Sequence, residues 1–279
     1  MNKTIGVIGA GRLGCALAAR LKEKGCAVAG VTCASFDECR RAAKTAGVRP
    51  FADNGALAAV SDILFITVPD GMIVDTAADL LAKGVKDGAL MLHCSGALSA
   101  FALPPDRRVL RGGFHPLQSF ADKDAGFENI HIAVGGDPQA LPLMLELCAV
   151  LGAKAMSVPD AARPLYHAAA CMASNHLVAL LAAAEDLFSR WADSPAEARA
   201  AFWPLVEGTL RNFRILGPEK ALTGPIARGD SQTVGSHLQA LPPEYTDFYK
   251  KLSRQTLCLA RKSGNLTAEK IKELDAMLR

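Results

Sequence analysis

Close to its start the chain carries Gly9-Ala10-Gly11-Arg12-Leu13-Gly14, a G-x-G-x-x-G. The pattern is informative only between a strand and a helix, and the sequence supplies both. Thr4-Ile5-Gly6-Val7-Ile8 is a short apolar run of the kind a buried parallel strand needs. After the glycines, Leu13, Leu17 and Leu21 recur at helical spacing, and Lys22, Lys24 and Gly25 close the segment. Ala27-Val28-Ala29-Gly30-Val31 is then a second strand. In such a unit Gly9 permits a tight turn, Gly11 admits a pyrophosphate against the backbone, and Gly14 lets the helix lie close on the strand. The helix start offers N–H groups and a positive dipole end to phosphate. Gly9, Ala10, Gly11, Arg12, Leu13 and Gly14 are therefore the first candidate contacts to a dinucleotide cofactor.

The end of the second strand separates NAD from NADP. An Asp or Glu about 20 residues beyond the glycines holds a free ribose 2′-hydroxyl. Val31-Thr32-Cys33-Ala34-Ser35 contains no acid. Ser35-Phe36-Asp37-Glu38 reads as a capping box that opens a helix, and a helix start also suits a 2′-phosphate. Arg40 or Arg41 can supply positive charge; the plainer alternative puts both on a solvated helix face. NADP(H) is favoured over NAD(H), with Ser35 and Arg40 as candidate contacts.

Strands continue at 62–68, 89–93, 109–114 and 130–134, and residues 138–151 read as a closing helix. In an open parallel sheet the ligand lies beyond the carboxyl ends of the strands. Val68, Pro69 and Asp70, then His93 to Gly96 with Ser95, and His115 to Gln118 should edge one crevice. The fold expected for residues 1–158 is an α/β Rossmann domain with a mostly parallel, doubly wound sheet.

From about residue 160 strand-like runs vanish. Residues 161–191 read as one long alanine-rich helix. Ser194-Pro195-Ala196-Glu197 is a strong new helix start, continuing to about 213. Leu222-Thr223-Gly224-Pro225-Ile226-Ala227-Arg228-Gly229-Asp230 is a Gly/Pro-punctuated loop. Helices at 231–239 and 244–263 and a last one from 267 complete an all-α domain over 159–279.

Composition narrows the function. With 50% hydrophobic and 21% charged residues, a substantial core is expected rather than disorder. A net charge of +3 without a Lys/Arg run argues against nucleic acid. No stretch of about 18 apolar residues stands out, and Arg163, His167, Asn175, His176, Glu185 and Asp186 interrupt 161–191, so no membrane span is expected. The eight cysteines show no C-x-x-C and no zinc spacing, as reduced thiols in a cytoplasmic protein would. No metal site is expected.

Several further stretches resemble one family. They are Val68-Pro69-Asp70, His93-Cys94-Ser95-Gly96, His115-Pro116, Tyr166-His167-Ala168-Ala169-Ala170, Ala173-Ser174-Asn175 and residues 222–230. With the glycine motif they resemble Rossmann-like oxidoreductases carrying a helical C-terminal domain of uncharacterised function. That family is similar to the larger group of 6-phosphogluconate dehydrogenase, prephenate dehydrogenase and ketopantoate reductase. The resemblance implies NADP(H), a homodimer through the helical domain, and a small oxo or hydroxy acid as substrate, with 2-ketopantoate the first candidate. There is one departure. The ketopantoate reductases use a Lys on the long helix as proton donor, and residues 161–191 contain none.

Carbonyl reduction needs a group that holds and protonates the oxygen. His167 is the leading candidate, because histidine titrates near neutrality. His167, Cys171, Ser174 and Asn175 share one face of a helix, and such a face must find partners or line a cavity; a satisfied core histidine is the alternative. Tyr166 lies on another face and reads as packing. Arg228 can grip a carboxylate, with Asp230 and Thr223 on the same loop; alternatively Arg228 and Asp230 pair to stiffen it. Ser95 is placed to touch nicotinamide or substrate, and His115 is a second acid/base or a turn residue. The catalytic candidates are thus His167, Ser95, Asn175, Arg228 and Asp230, and the substrate contacts His115, Ser174 and Thr223. No G-x-S-x-G elbow points to a hydrolase. The competing reading is a non-catalytic dinucleotide-binding sensor or scaffold.

Overall fold

In the computed structural model, which describes residues 2–121 and 126–279, the chain forms two compact units, Met1–His176 and Leu177–Arg279. The first comprises β1 (Thr4–Ile8), α1 (Arg12–Glu23), β2 (Ala27–Thr32), α2 (Phe36–Ala46), α3 (Asn54–Ala58), β3 (Ile63–Ile66), α4 (Ile73–Lys83), β4 (Ala89–His93), β5 (Val109–Pro116), β6 (His131–Gly136), α5 (Leu141–Leu151), β7 (Lys154–Ser157) and α6 (Arg163–Ala173). The seven strands form one sheet in the order β2-β1-β3-β4-β5-β6-β7. Every pairing is parallel except β5 with β6.

Alternate residues of the strands enter two separate cores, so both faces of the sheet are covered. Ile63 and Phe65 pack with Leu17, Leu21, Met144 and Leu147 on one face. Leu64 and Ile66 pack with Leu57, Ile73 and Leu80 on the other. Two-sided burial explains why these strands read as continuous apolar runs. The edge strand β7 carries no such signal in the sequence, because Lys154, Ala155 and Ser157 are exposed and make no apolar run. β1 pairs with β2 on one side and β3 on the other. The chain therefore reverses direction across the sheet at β1, and this switch point opens a crevice at the carboxyl ends of β1 and β3.

The single helix expected over 161–191 is broken. Ser174, at φ −123° and ψ −78°, ends α6, and α7 (Asn175–Phe188) starts anew. Judged by length and composition, Asp160–Trp191 is apolar enough to cross a membrane, with a mean hydropathy of 1.3, so the expectation that no such stretch exists does not hold on that measure. The break and the charges within it oppose a continuous span. Arg163 is fully buried against β5 and β6, where its Nη2 lies 3.0 Å from the place a Cβ on Gly113 would take. Tyr166 reaches β5 as well. These contacts tie α6 to the sheet, which is why the first unit extends to 176 and not to 158.

The second unit is helical throughout its described residues. It comprises most of α7, then α8 (Pro195–Leu216), α9 (Pro218–Ala221), α10 (Pro225–Arg228), α11 (Ser231–Ala240), α12 (Pro243–Lys262) and α13 (Ala268–Leu278). Ser194 caps α8 by accepting from the Glu197 N–H at 3.2 Å, and Glu197 reaches back to the Asp193 N–H at 2.9 Å. α8 runs on beyond the expected 213, and Gly217, at φ 74°, stops it. Ile226, Val234, Leu257, Ala260, Leu274 and Leu278 form the small core.

Candidate cofactor crevice and active site

The glycine turn is fixed from both neighbouring strands. Gly9 has φ 92°, a conformation side chains disfavour. The N–H groups of Gly9 and Ala10 donate to the Thr32 carbonyl at 3.0 and 2.8 Å. From the end of β3, the Thr67 hydroxyl bonds the Gly9 carbonyl at 2.8 Å. A Cβ on Gly14 would lie 2.5 Å from that hydroxyl and 2.6 Å from the Gly9 carbonyl, so α1 can approach only because Gly14 has no side chain. Above Gly11 nothing lies within 4 Å of a Cβ position. α1 has no side-chain cap and no acid in its first turn, and it starts with the exposed Arg12. A pyrophosphate fits this cradle: open backbone, uncapped N–H groups and a cation beside them.

Gly9, Ala10, Gly11, Thr32, Val68 and Pro69 line a cavity of about 670 Å³ at the switch point, a size that suits a cofactor. Arg41 and Glu38 line it too; Arg40 does not, and lines an adjoining depression together with Asp37, Arg41 and Lys44. Ser35 does not line the cavity; its hydroxyl accepts the Glu38 N–H at 3.3 Å and caps α2. Arg12, Leu13 and Gly14 follow the turn on α1 and do not line the cavity. Of the two arginines weighed in the sequence, Arg41 is therefore the one at the crevice.

A hydrogen bond leads from this crevice to the next strand. Ser95 donates its hydroxyl proton to the Asp70 carboxylate at 2.6 Å and accepts from the N–H groups of Ala97 and Leu98, both at 3.2 Å. Buried and fully engaged, Ser95 joins the β3 and β4 loops rather than offering a hydroxyl to a ligand. His93 is also engaged at both ring nitrogens, with the Ser95 N–H at 3.2 Å and the Ser99 carbonyl at 3.0 Å. Burial, followed by the Arg163 charge, depresses its pKa to about 4.

Beyond Gly96 the imidazoles of His115 and His167 meet, with ring centroids 6.2 Å apart. The Tyr166 hydroxyl lies 2.8 Å from His115 Nδ1. The packing role that the sequence suggests for Tyr166 is therefore incomplete, because nothing in the sequence relates it to a histidine on a distant strand. His115, Tyr166, His167, Cys171, Ser174 and Asn175 line a second cavity of about 670 Å³. The helix break leaves the expected polar face on one wall. Cys171 Sγ lies 3.9 Å from His167 Nε2. His115 is depressed to about 4, first by burial and then by the charges of His167 and Arg163.

The remaining candidates belong to the second unit. Asp230 caps α11, accepting from the Thr233 N–H at 3.0 Å and its hydroxyl at 2.7 Å. These bonds lower its pKa, and they, rather than pairing with Arg228, account for its conformation. Arg228 is exposed and its carbonyl accepts from Lys270 Nζ at 3.2 Å. Thr223 is exposed and lines a groove beside Leu205 and Phe213. Among the described residues no group of three or more His, Cys, Asp or Glu is placed to hold a metal ion.

Comparison with known proteins agrees with this geometry. Among solved structures, a Bacteroides fragilis protein assigned as an NADP oxidoreductase has a TM-score of 0.76 at 24% identity, over 92% of this chain and 98% of its own. A Thermotoga maritima protein has a TM-score of 0.70 at 25% identity with the same coverage. A semialdehyde dehydrogenase NAD-binding protein from Cupriavidus necator, in complex with calcium and NAD, has 0.58 at 17% identity over 96% and 100% of the two chains. No curated protein matches significantly. Residues 2–116 match the family profile of a Rossmann-like domain, and residues 130–256 that of a domain of unknown function, DUF2520. The chain thus joins a stretch similar to Rossmann-like domains to one similar to DUF2520 domains.

Proposed function

We propose that the protein is an NADP(H)-dependent oxidoreductase that interconverts a small oxo acid and its hydroxy acid. The observation that carries this reading is the continuity of the rim. The Asp70–Ser95 bond links the edge of the cofactor crevice to the loop that meets His115 and His167. A dinucleotide with its pyrophosphate on the glycine turn extends along the strand ends, toward a cavity walled by ionisable rings and amides. Bound NADPH supplies the hydride. The chain's own part is to hold the carbonyl and deliver a proton, and the His115, Tyr166 and His167 rings are the groups in place for it. Ser174 and Asn175 offer neutral hydrogen bonds to the substrate.

NADP rests on Arg41, which lines the crevice where β2 ends without an acid. The relatives do not choose for it, since one is assigned to NADP and another holds NAD. The test is fluorescence titration with NADPH and NADH, followed by 2-ketopantoate and a panel of 2-oxo acids. Tighter NADPH binding with oxidation on one acid is expected. Binding without turnover on any acid favours a dinucleotide sensor, and no binding refutes the crevice assignment.

A further inference from the structure

The second cavity is lined by a hydrogen-bonded Tyr166–His115 pair that the sequence did not reveal. Arg163, Tyr166 and His167 occupy adjoining positions on α6. Of these, only Tyr166 is bonded to a further proton-carrying ring, His115, at 2.8 Å. The rings stand edge to face, with centroids 5.6 Å apart at 90°. A phenol that accepts from Nδ1–H keeps its own proton for a ligand in the cavity it lines. His93 is bonded at both nitrogens and cannot pass a proton on. His115 Nε2 is different: no hydrogen bond holds it among the described residues. It faces the Gly96 backbone, where a Cβ would lie 2.9 Å away. Only glycine at position 96 leaves that nitrogen approachable.

Behind the pair sits Arg163. Its side chain is wholly buried, and its Nε, Nη1 and Nη2 have no hydrogen-bond partner. Asp160 lies 3.4 Å from Nε, close enough for attraction but without hydrogen-bond geometry. A cation held so far from water is costly, and a structural helix start does not require one.

We propose that Tyr166 gives the substrate oxygen its proton, that His115 resupplies it through Nδ1, and that Arg163 is the positioning residue that tunes the pair. This rests on the oxidoreductase reading above. A bound dinucleotide would supply the hydride to the carbonyl carbon; the part of Tyr166 is to give its phenolic proton to the carbonyl oxygen, breaking its own O–H bond. The Nδ1 proton of His115 moves to the phenolate, water gives one proton to Nε2, and proton exchange of the ring with solvent restores the Nδ1–H tautomer before the next turnover. The net change is one hydride and one proton added to the carbonyl, with the proton drawn from solvent. His167 remains as a hydrogen-bonding wall of the cavity.

The electrostatics suit these roles. Burial raises the Tyr166 pKa, and Arg163 opposes that rise, so the phenol stays protonated at neutral pH yet less reluctant to give up its proton. His115 faces His167 and Arg163 on α6, Asp70 beyond β3 and His93 on β4, and burial with the neighbouring positive charges keeps it neutral.

The experiment is NADPH oxidation by the intact protein with the 2-oxo acid panel, followed against pH. Tyr166→Phe should lower kcat by roughly 10²- to 10⁴-fold, with NADPH affinity and KM changed only a few-fold. Arg163→Gln removes a cation that lowers both pKa values. It should move the alkaline limb of kcat to higher pH and raise the His115 titration, followed by NMR, toward its ordinary value. Arg163→Lys keeps the charge and should retain the wild-type limbs; it also serves if Arg163→Gln does not fold. No turnover by a wild type that binds NADPH overturns the oxidoreductase reading and the relay with it. Turnover that survives in Tyr166→Phe, or pH limbs and His115 titration unmoved in a folded Arg163→Gln, overturns the relay alone.

Discussion

Single residues decide the cofactor. Position 11 is open backbone with nothing within 4 Å of a Cβ. Gly11→Val should therefore fold normally and lose most dinucleotide affinity, because the new side chain fills the place of the pyrophosphate. Undiminished titration by NADPH would remove the turn from the binding site. Arg41→Ala should lower NADPH affinity by about tenfold, on the order of 1.4 kcal/mol, while leaving NADH binding almost unchanged. Arg40→Ala should have the smaller effect, since Arg40 does not line the crevice. A common loss of both cofactors in Arg41→Ala would assign that residue to the pyrophosphate or the fold. The glycine turn was legible because its chemistry lies in consecutive residues. The choice between Arg40 and Arg41 was not, because it depends on the rotation of α2 about its axis. Tyr166 was hidden for a similar reason: its partner on β5 is brought to it only by the packing of α6 on the sheet.

Elements join these residues into a site. Ser95 shows how, since one hydroxyl ties the loop after β3 to the loop after β4. Ser95→Ala leaves the Asp70 carboxylate without that donor and two N–H groups without an acceptor. A loss of about 1–3 kcal/mol in denaturant melts is expected, together with slower turnover, because the cofactor rim and the ring cluster lose their link. Ser194→Ala, at the start of α8, should cost about 1 kcal/mol and leave cofactor affinity unchanged. Equal effects of the two variants on NADPH titration would deny the rim its role. Strands and caps were readable because apolar runs and capping boxes are local. The break at Ser174 was not, since Ala173-Ser174-Asn175 contains neither Gly nor Pro.

At the scale of the whole molecule two features make testable demands. The first is acid stability. His93 and His115 are both held at about 4, chiefly by burial, against an ordinary value near 6.5. The unfolded chain therefore takes up protons first, so stability is complete above about pH 6.5 and falls as pH drops toward 4. The second is α8. Of its 22 residues only Ala198 and Phe202 are buried. Leu205, Phe213 and Ile215 are 70%, 56% and 67% exposed, and Val178 on α7 is 67% exposed. Side chains of this kind, repeated along one helical unit, exceed what a monomer surface ordinarily shows. A second copy of the chain is the occupant we propose, because a two-fold contact covers the same patch on both partners. Sedimentation at micromolar concentration should then give a dimer, and its melting temperature should rise with protein concentration. Leu205→Glu combined with Ile215→Glu places two charges in that contact and should yield a monomer that still binds NADPH, since the crevice lies wholly in the first unit. A wild type that sediments as a monomer, with concentration-independent melting, would leave α8 to a partner of another kind.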